Sequence, residues 1–251
     1  MTEAVLSSAG GPGGRLCILG AGACNDLDLE QLSLAFSEIH LVDIDATALA
    51  RGIARQPPAV RTRLRPHARV DLSGMTKRLN EWRRRPPTPA QLDALGASTA
   101  QALLARLPGP FDVVVSACVL TQMAFAAMDA LGERHAMLRP IRLSLVGTHL
   151  HALVGLTVDG GASLFVSDLT SSSMFPLKDL DVSRSLQEVM NQIIASGACY
   201  HVAHPALVTS ILSSGSFRER VWDPDFLAPW LWSGRLDRTY FVYALRVRRR
   251  G

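Results

Sequence analysis

The chain has few cysteines, no paired-cysteine motif and no long apolar run, and each lack removes a class of protein. Cys17, Cys24, Cys118 and Cys199 are scattered through 251 residues without a C-x-x-C pair. That spacing argues against both a zinc site and a disulfide framework. Cys17 sits in an apolar stretch, where a thiol serves as a small hydrophobe. No apolar run reaches the roughly 18 residues that cross a bilayer. The longest, Leu143 to Val158, is broken by Gly147, His149, His151 and Gly155. The N-terminus shows no Arg/Lys-led signal, and Ser7 to Gly14 reads as a flexible lead-in. A cytoplasmic protein without a membrane partner is expected. His149 and His151, two apart, point to different faces of a helix, so no metal pair at i, i+4 exists.

What is present suits one globular α/β domain. Hydrophobic residues make up 48% of the chain and charged residues 19%, the balance of a folded protein. A chain of this length buries roughly three quarters of its unfolded surface. The expected organisation is a flexible lead over 1–14 and a single domain over 15–251, with no internal repeat. Net charge is +4 and the pI about 9.2. The excess gathers at Arg61/Arg63/Arg65, Arg83-Arg84-Arg85 and Arg248-Arg249-Arg250. Such runs can contact phosphate, which keeps RNA open as a partner. No aromatic-interleaved basic motif accompanies them, so a solvated loop and tail is the simpler reading and a small-molecule partner is favoured.

Three short signals between residues 16 and 72 carry the functional argument. Leu16-Cys17-Ile18-Leu19 reads as a buried strand running into Gly20-Ala21-Gly22. Glycine lets backbone approach a ligand closely because no Cβ intrudes. Ile39-His40-Leu41-Val42-Asp43 reads as a second strand ending in an acid, and Arg69-Val70-Asp71-Leu72 as a third strand-like stretch. A carboxylate about 20 residues after a glycine turn can accept both hydroxyls of a ribose. A dinucleotide site asks for G-x-G-x-x-G. Here the last position is Asn25, which opposes an NAD-dependent oxidoreductase.

These residues resemble the motifs of the class I S-adenosylmethionine-dependent methyltransferases. Their first motif is a hydrophobic strand followed by G-x-G. Their ribose-binding acid matches Asp43, and their adenine-side acid matches Asp71. Phe111-Asp112-Val113-Val114-Val115-Ser116 is similar to their fourth strand, and Gly160 to Asp168 to their turn and fifth strand. The resemblance runs from about residue 15 to 248. It implies a Rossmann-like, mostly parallel seven-stranded sheet with helices on both faces and a C-terminal antiparallel hairpin. It also implies S-adenosylmethionine as cofactor and S-adenosylhomocysteine as product. The binding set it implies is Gly20, Ala21, Gly22, Asp26, Asp43, Ile44, Asp71, Leu72, Ser116 and Ala117. Two positions depart from the family: Ile18 stands where an acid is usual and Cys24 where a third glycine is usual. A cofactor-binding protein of the same fold that no longer transfers methyl groups is therefore the main alternative.

Each candidate also has a plainer role. Asp43 could cap the next helix, although Asp45 is available for that. Asp26 could supply the charge absent at Ile18, or cap a helix. Asp71 could be a solvated turn residue, and Ser116 and Ala117 could simply pack. Thr121, Gln122, Asp168 and Thr170 follow expected strand ends and could face substrate. Trp230 and Trp232 could wall a substrate pocket or pack a link on the sheet.

The remaining pattern alternates strands and helices. A helix is expected over 46–55, an exposed arginine-rich insertion over 75–88, and a helix opened by the Thr88/Gln91 capping box. A further helix is expected around 133–156, followed by a tight turn at Asp159-Gly160-Gly161 and a strand over 163–168. Ser185 to Glu188 opens another helix that Gly197 closes. The tail reads as a strand (Phe217–Trp222), a link (Asp223–Arg238) and a strand (Thr239–Val247). The sulfonium methyl is already electrophilic, so a missing catalytic triad is no obstacle.

Overall fold

A computed structural model describes residues 1–180, 183–234 and 237–251. Its strands are β1 (Gly14–Leu19), β2 (Phe36–Asp43), β3 (Leu64–Ala68), β4 (Phe111–Ala117), β5 (Thr157–Ser171), β6 (Asp225–Ser233) and β7 (Thr239–Arg248). They form one sheet in the order β3-β2-β1-β4-β5-β7-β6. The first five run parallel, and β7 lies antiparallel between β5 and β6. This is the expected Rossmann-like sheet with its C-terminal hairpin. The order reverses between β1 and β4, and in open α/β sheets the crevice outside the carboxyl ends at such a point takes the ligand.

Central strands read as continuous apolar runs because both faces are covered. Along β1, Cys17 and Leu19 enter one core, and Leu16 and Ile18 enter the other, as the two-residue strand period requires. The second core is closed by α1 (Thr2–Leu6), α2 (Leu29–Ala35), α3 (Ala46–Ala54) and α4 (Pro58–Arg61). The first is closed by α5 (Leu79–Trp82), α6 (Pro89–Arg106), α7 (Val119–Leu131), α8 (Leu138–Gly155), α9 (Leu186–Ser196), α10 (Pro205–Leu212) and α11 (Gly215–Arg220).

Local signals placed several elements well. Asp45 caps α3 through the Thr47 and Ala48 amides, and both capping boxes, Thr88/Gln91 and Ser185/Glu188, are closed. Gly197 ends α9 at φ +72°.

Other segments differ from expectation. The lead over 1–14 carries α1, with Val5 fully buried and the Ser7 carbonyl accepting from Arg246. The third strand is Leu64–Ala68, so Asp71 lies in the loop beyond it, after a left-handed Arg69 at φ +56°. The 75–88 stretch is no plain exposed insertion: it holds α5, whose Leu79 and Trp82 pack into the first core. Asp159-Gly160-Gly161 lies inside β5, where the pairing with β4 shifts register. Phe217–Trp222 is largely helical (α11), and the following link contains β6; residues 235 and 236 of that link lie outside the described set. No helix among the described residues is long and apolar enough to cross a membrane.

Candidate functional site

The end of β1 turns through Gly20 at φ +81° and Gly22 at φ +51°. The Gly20 and Ala21 amides donate to the Val42 carbonyl on β2. A Cβ on Gly20 would lie 2.5 Å from Val119 Cβ, so glycine is what allows the first residue of α7 to press on the turn. Cys24, at the usual third glycine, keeps a glycine-like φ of +55°. Gly52 on α3 lets that helix approach the same loop, since a Cβ there would meet the Ala23 carbonyl oxygen at 2.6 Å.

Asp43, at the end of β2, accepts from the Gly22 amide at 2.7 Å and from the Asp45 amide at 2.8 Å. Its own carbonyl accepts from Val70 N at 3.1 Å, which ties the second strand to the loop carrying Asp71. Asp71 organises that loop. One of its oxygens accepts from the Ser73 amide (3.0 Å) and hydroxyl (2.6 Å), and the other from Thr76 N (3.1 Å).

Between these loops lies a cavity of about 270 Å³. Gly20, Asp43, Ile44, Asp71 and Leu72 of the expected set line it, and Ile44 is 51% exposed at its edge. The facing wall comes from Met75, Leu79, Val119, Gln122, Met123 and Ala127. Most of that wall went unforeseen. The available signal was the spacing of Leu120, Ala124, Ala127 and Leu131, which marks a helical face; α7 begins at a left-handed Cys118 with no side-chain cap, so no start signal accompanied it.

The other expected residues are placed elsewhere. Ala21 and Gly22 belong to the turn but do not line the cavity, and neither do Ser116 and Ala117. Ser116 is fully buried, 2.7 Å from His149 Nε2. Burial lowers the His149 pKa to about 4, which keeps that imidazole neutral. Asp26 lines a separate cavity with Trp230, Trp232 and Cys118, and α2 is capped by Asp28 instead. Ile18 is fully buried in the second core, so this position is filled by hydrocarbon. Gln122 reaches the first cavity, whereas Thr121 donates to a buried Asp168 at 2.6 Å and Thr170 is fully buried. Burial raises the Asp168 pKa, against the lowering hydrogen bond from Thr121.

Two further regions stand apart. A larger groove of about 690 Å³ runs between α6 and α8, and none of the expected site residues lines it. The basic runs are partly structural: Arg63 donates to the Ser33 and Phe36 carbonyls, and Arg249 pairs with Asp159. Arg83, Arg84 and Arg85 are exposed. Among the described residues no group of three His, Cys, Asp or Glu side chains could hold a metal.

No family model and no curated protein matches the sequence. Solved structures do. An S-adenosylmethionine-dependent methyltransferase from Methanosarcina mazei is 10% identical, with a TM-score of 0.50 over 95% of this chain and 92% of that one. Another from Mesorhizobium loti is 16% identical at TM-score 0.46, covering 98% and 95%. An rRNA methylase from Streptococcus thermophilus is 8% identical at TM-score 0.43, covering 99% and 93%. The first shows that this chain has the fold of class I S-adenosylmethionine-dependent methyltransferases.

Proposed function

We propose that the protein binds S-adenosylmethionine and transfers its methyl group to a small-molecule acceptor, in a cytoplasmic setting. The observation that carries this reading is the contact between Gly22 and Asp43. A strand-end carboxylate is held 2.7 Å from the glycine turn, at the edge of a cavity that Asp71 also lines. The residues fit an adenosine. Asp43 offers carboxylate oxygens at the strand end for ribose hydroxyls. Ile44, Leu72, Met75 and Leu79 offer apolar surface for the base, and Asp71 stands on the same wall. When bound, the cofactor supplies a sulfonium methyl that needs orientation and exclusion of water more than activation.

Gly20, Gly22, Asp43, Ile44, Asp71 and Leu72 are the cofactor residues of this reading. Ala21 shapes the turn, and Ser116 and Ala117 support it from the end of β4. Calorimetry with S-adenosylmethionine, S-adenosylhomocysteine and NADH tests it. Binding of the first two in preference to NADH is expected; preference for NADH would replace the reading with an oxidoreductase. The buried Ile18 favours one second reading, a protein that binds the cofactor without turnover. Tight binding with no methyl transfer to any acceptor tried would support that alternative.

A further inference from the structure

A second cavity of about 400 Å³ is lined in part by residues that follow Gly20 or precede Val119 closely in the chain. Gly20 and Val119 face the first cavity, whereas Asn25, Asp26, Asp28 and Cys118 face the second. Its opposite wall is Trp230 and Trp232 on β6, two residues apart and so on one face of the strand. Both tryptophans also pack on the second core, and Trp232 leans on Tyr240 with ring centroids 5.2 Å apart. Among the described residues no lysine or arginine side chain lines it; the cation beside Asp26 is the Met1 amino group, whose pKa burial lowers.

The polar atoms of this cavity are mostly committed. Asn25 Oδ1 accepts from Arg55 at 2.7 Å, and an Asp28 oxygen accepts from the Gln31 amide. Burial raises the Cys118 thiol well above its ordinary pKa, which disfavours the thiolate. Asp26 is different: its Oδ1 is buried with no hydrogen-bond partner among the described residues. Burial raises the Asp26 pKa, opposed by the Met1 amino group and by a hydrogen bond with the Trp232 side chain. A buried acceptor left without a donor is costly, and a ligand that brings a donor relieves that cost. Indole faces attract cations through the ring quadrupole. A carboxylate in a cavity that two tryptophans line therefore selects a ligand that is apolar around a positive, hydrogen-bearing nitrogen.

We propose that this second cavity binds an alkylammonium group and that this amine is the methyl acceptor. The second clause rests on the methyltransferase reading above. For transfer, the ammonium gives its proton to the Asp26 carboxylate. The freed nitrogen lone pair then forms the N–C bond to the methyl carbon, and the C–S pair departs to sulfur.

The test titrates the full chain, free and saturated with S-adenosylhomocysteine, with trimethylammonium and with tert-butanol, which has similar bulk and one donor but no charge. Tryptophan fluorescence and ligand-observed NMR report binding. Trimethylammonium should bind at least about tenfold tighter than tert-butanol, and Asp26→Asn and Trp232→Leu should each remove most of that preference. S-adenosylhomocysteine affinity should stay unchanged in both variants. Equal affinity for the two probes would overturn the proposal, as would an Asp26→Asn variant that keeps the preference. If trimethylammonium fails to bind and Asp26→Asn weakens S-adenosylhomocysteine but not adenosine, the cavity belongs to the cofactor's methionine end and the proposal is wrong. Binding of trimethylammonium by a protein that binds no S-adenosylhomocysteine would keep the ammonium site and overturn the acceptor assignment.

Discussion

Asp43 Oδ2 accepts the backbone N–H of Gly22 at 2.7 Å, so the acid that ends β2 also fixes the turn that ends β1. Its other oxygen holds Asp45 N, the start of the α3 cap. One carboxylate therefore links the glycine turn, the second strand and the following helix, and it lines the cavity between them.

Asp43→Ala should weaken S-adenosylhomocysteine by about 1.5–3 kcal/mol, the range for hydrogen bonds to a charged group. The variant should also melt at a lower temperature, because the Gly22 and Asp45 amides lose their acceptor. Calorimetry and a thermal scan read the two effects separately. A lower melting temperature with unchanged affinity would leave Asp43 as a structural residue only.

Gly20 and Gly22 should respond differently to alanine. Both have positive φ, but only at Gly20 would the new Cβ strike another residue, Val119, at 2.5 Å. Gly22→Ala should cost about 1–2 kcal/mol from left-handed strain alone. Gly20→Ala should cost more, and adding Val119→Ala should recover part of the excess. Urea denaturation of the three variants checks this; equal losses at both glycines would remove the steric argument.

His149 should make the fold acid-sensitive. Its folded pKa, about 4, lies below the ordinary value of 6.5 because it is fully buried. Above pH 6.5 both folded and unfolded forms are neutral and nothing is lost. As pH falls from 6.5 towards 4, the unfolded chain takes up a proton that the folded one refuses. Stability should drop by up to about 3 kcal/mol over that window. His149→Gln, which can still hydrogen-bond Ser116, should flatten the acid limb of stability against pH. Identical slopes for the two proteins between pH 7 and 4.5 would show that the folded imidazole takes up its proton as readily as the unfolded one.

What the sequence disclosed follows from how local each signal is. The glycine turn, the strand-end Asp43 and the Thr88 and Ser185 capping boxes each depend on neighbours within about four residues. All four lie where the pattern placed them. Strand β3 was misplaced because Arg65, Pro66 and His67 look unlike a buried strand. As a sheet edge it needs only one paired side and tolerates proline, while the more apolar Val70 to Leu72 falls in the loop. Strand β6 carries Pro229 and is defined by its pairing with β7, a contact that its own pattern does not announce. The wall of the 270 Å³ cavity is illegible in the sequence for a similar reason: α5 and α7 reach Asp71 and Gly20 only through tertiary packing.

Asp71 separates loop order from ligand contact more sharply than Asp43 does. Its oxygens hold Ser73 N, Ser73 Oγ and Thr76 N, and Ser73 Oγ in turn accepts from Met75 N at 3.0 Å. Ser73→Ala would remove the hydroxyl bonds yet leave the Asp71 carboxylate and its two backbone contacts. If Asp71 touches the cofactor directly, Asp71→Ala should weaken S-adenosylhomocysteine by about 1–3 kcal/mol, while Ser73→Ala costs binding only a few tenths of that. Asp71→Ala should also cost more stability, since it removes every Asp71 contact in the 71–76 loop while Ser73→Ala keeps the two backbone ones. Calorimetry beside urea denaturation gives both quantities for each variant. Should Ser73→Ala weaken the ligand as much as Asp71→Ala, the carboxylate acts by shaping the loop, and Asp71 would leave the set of cofactor-contacting residues.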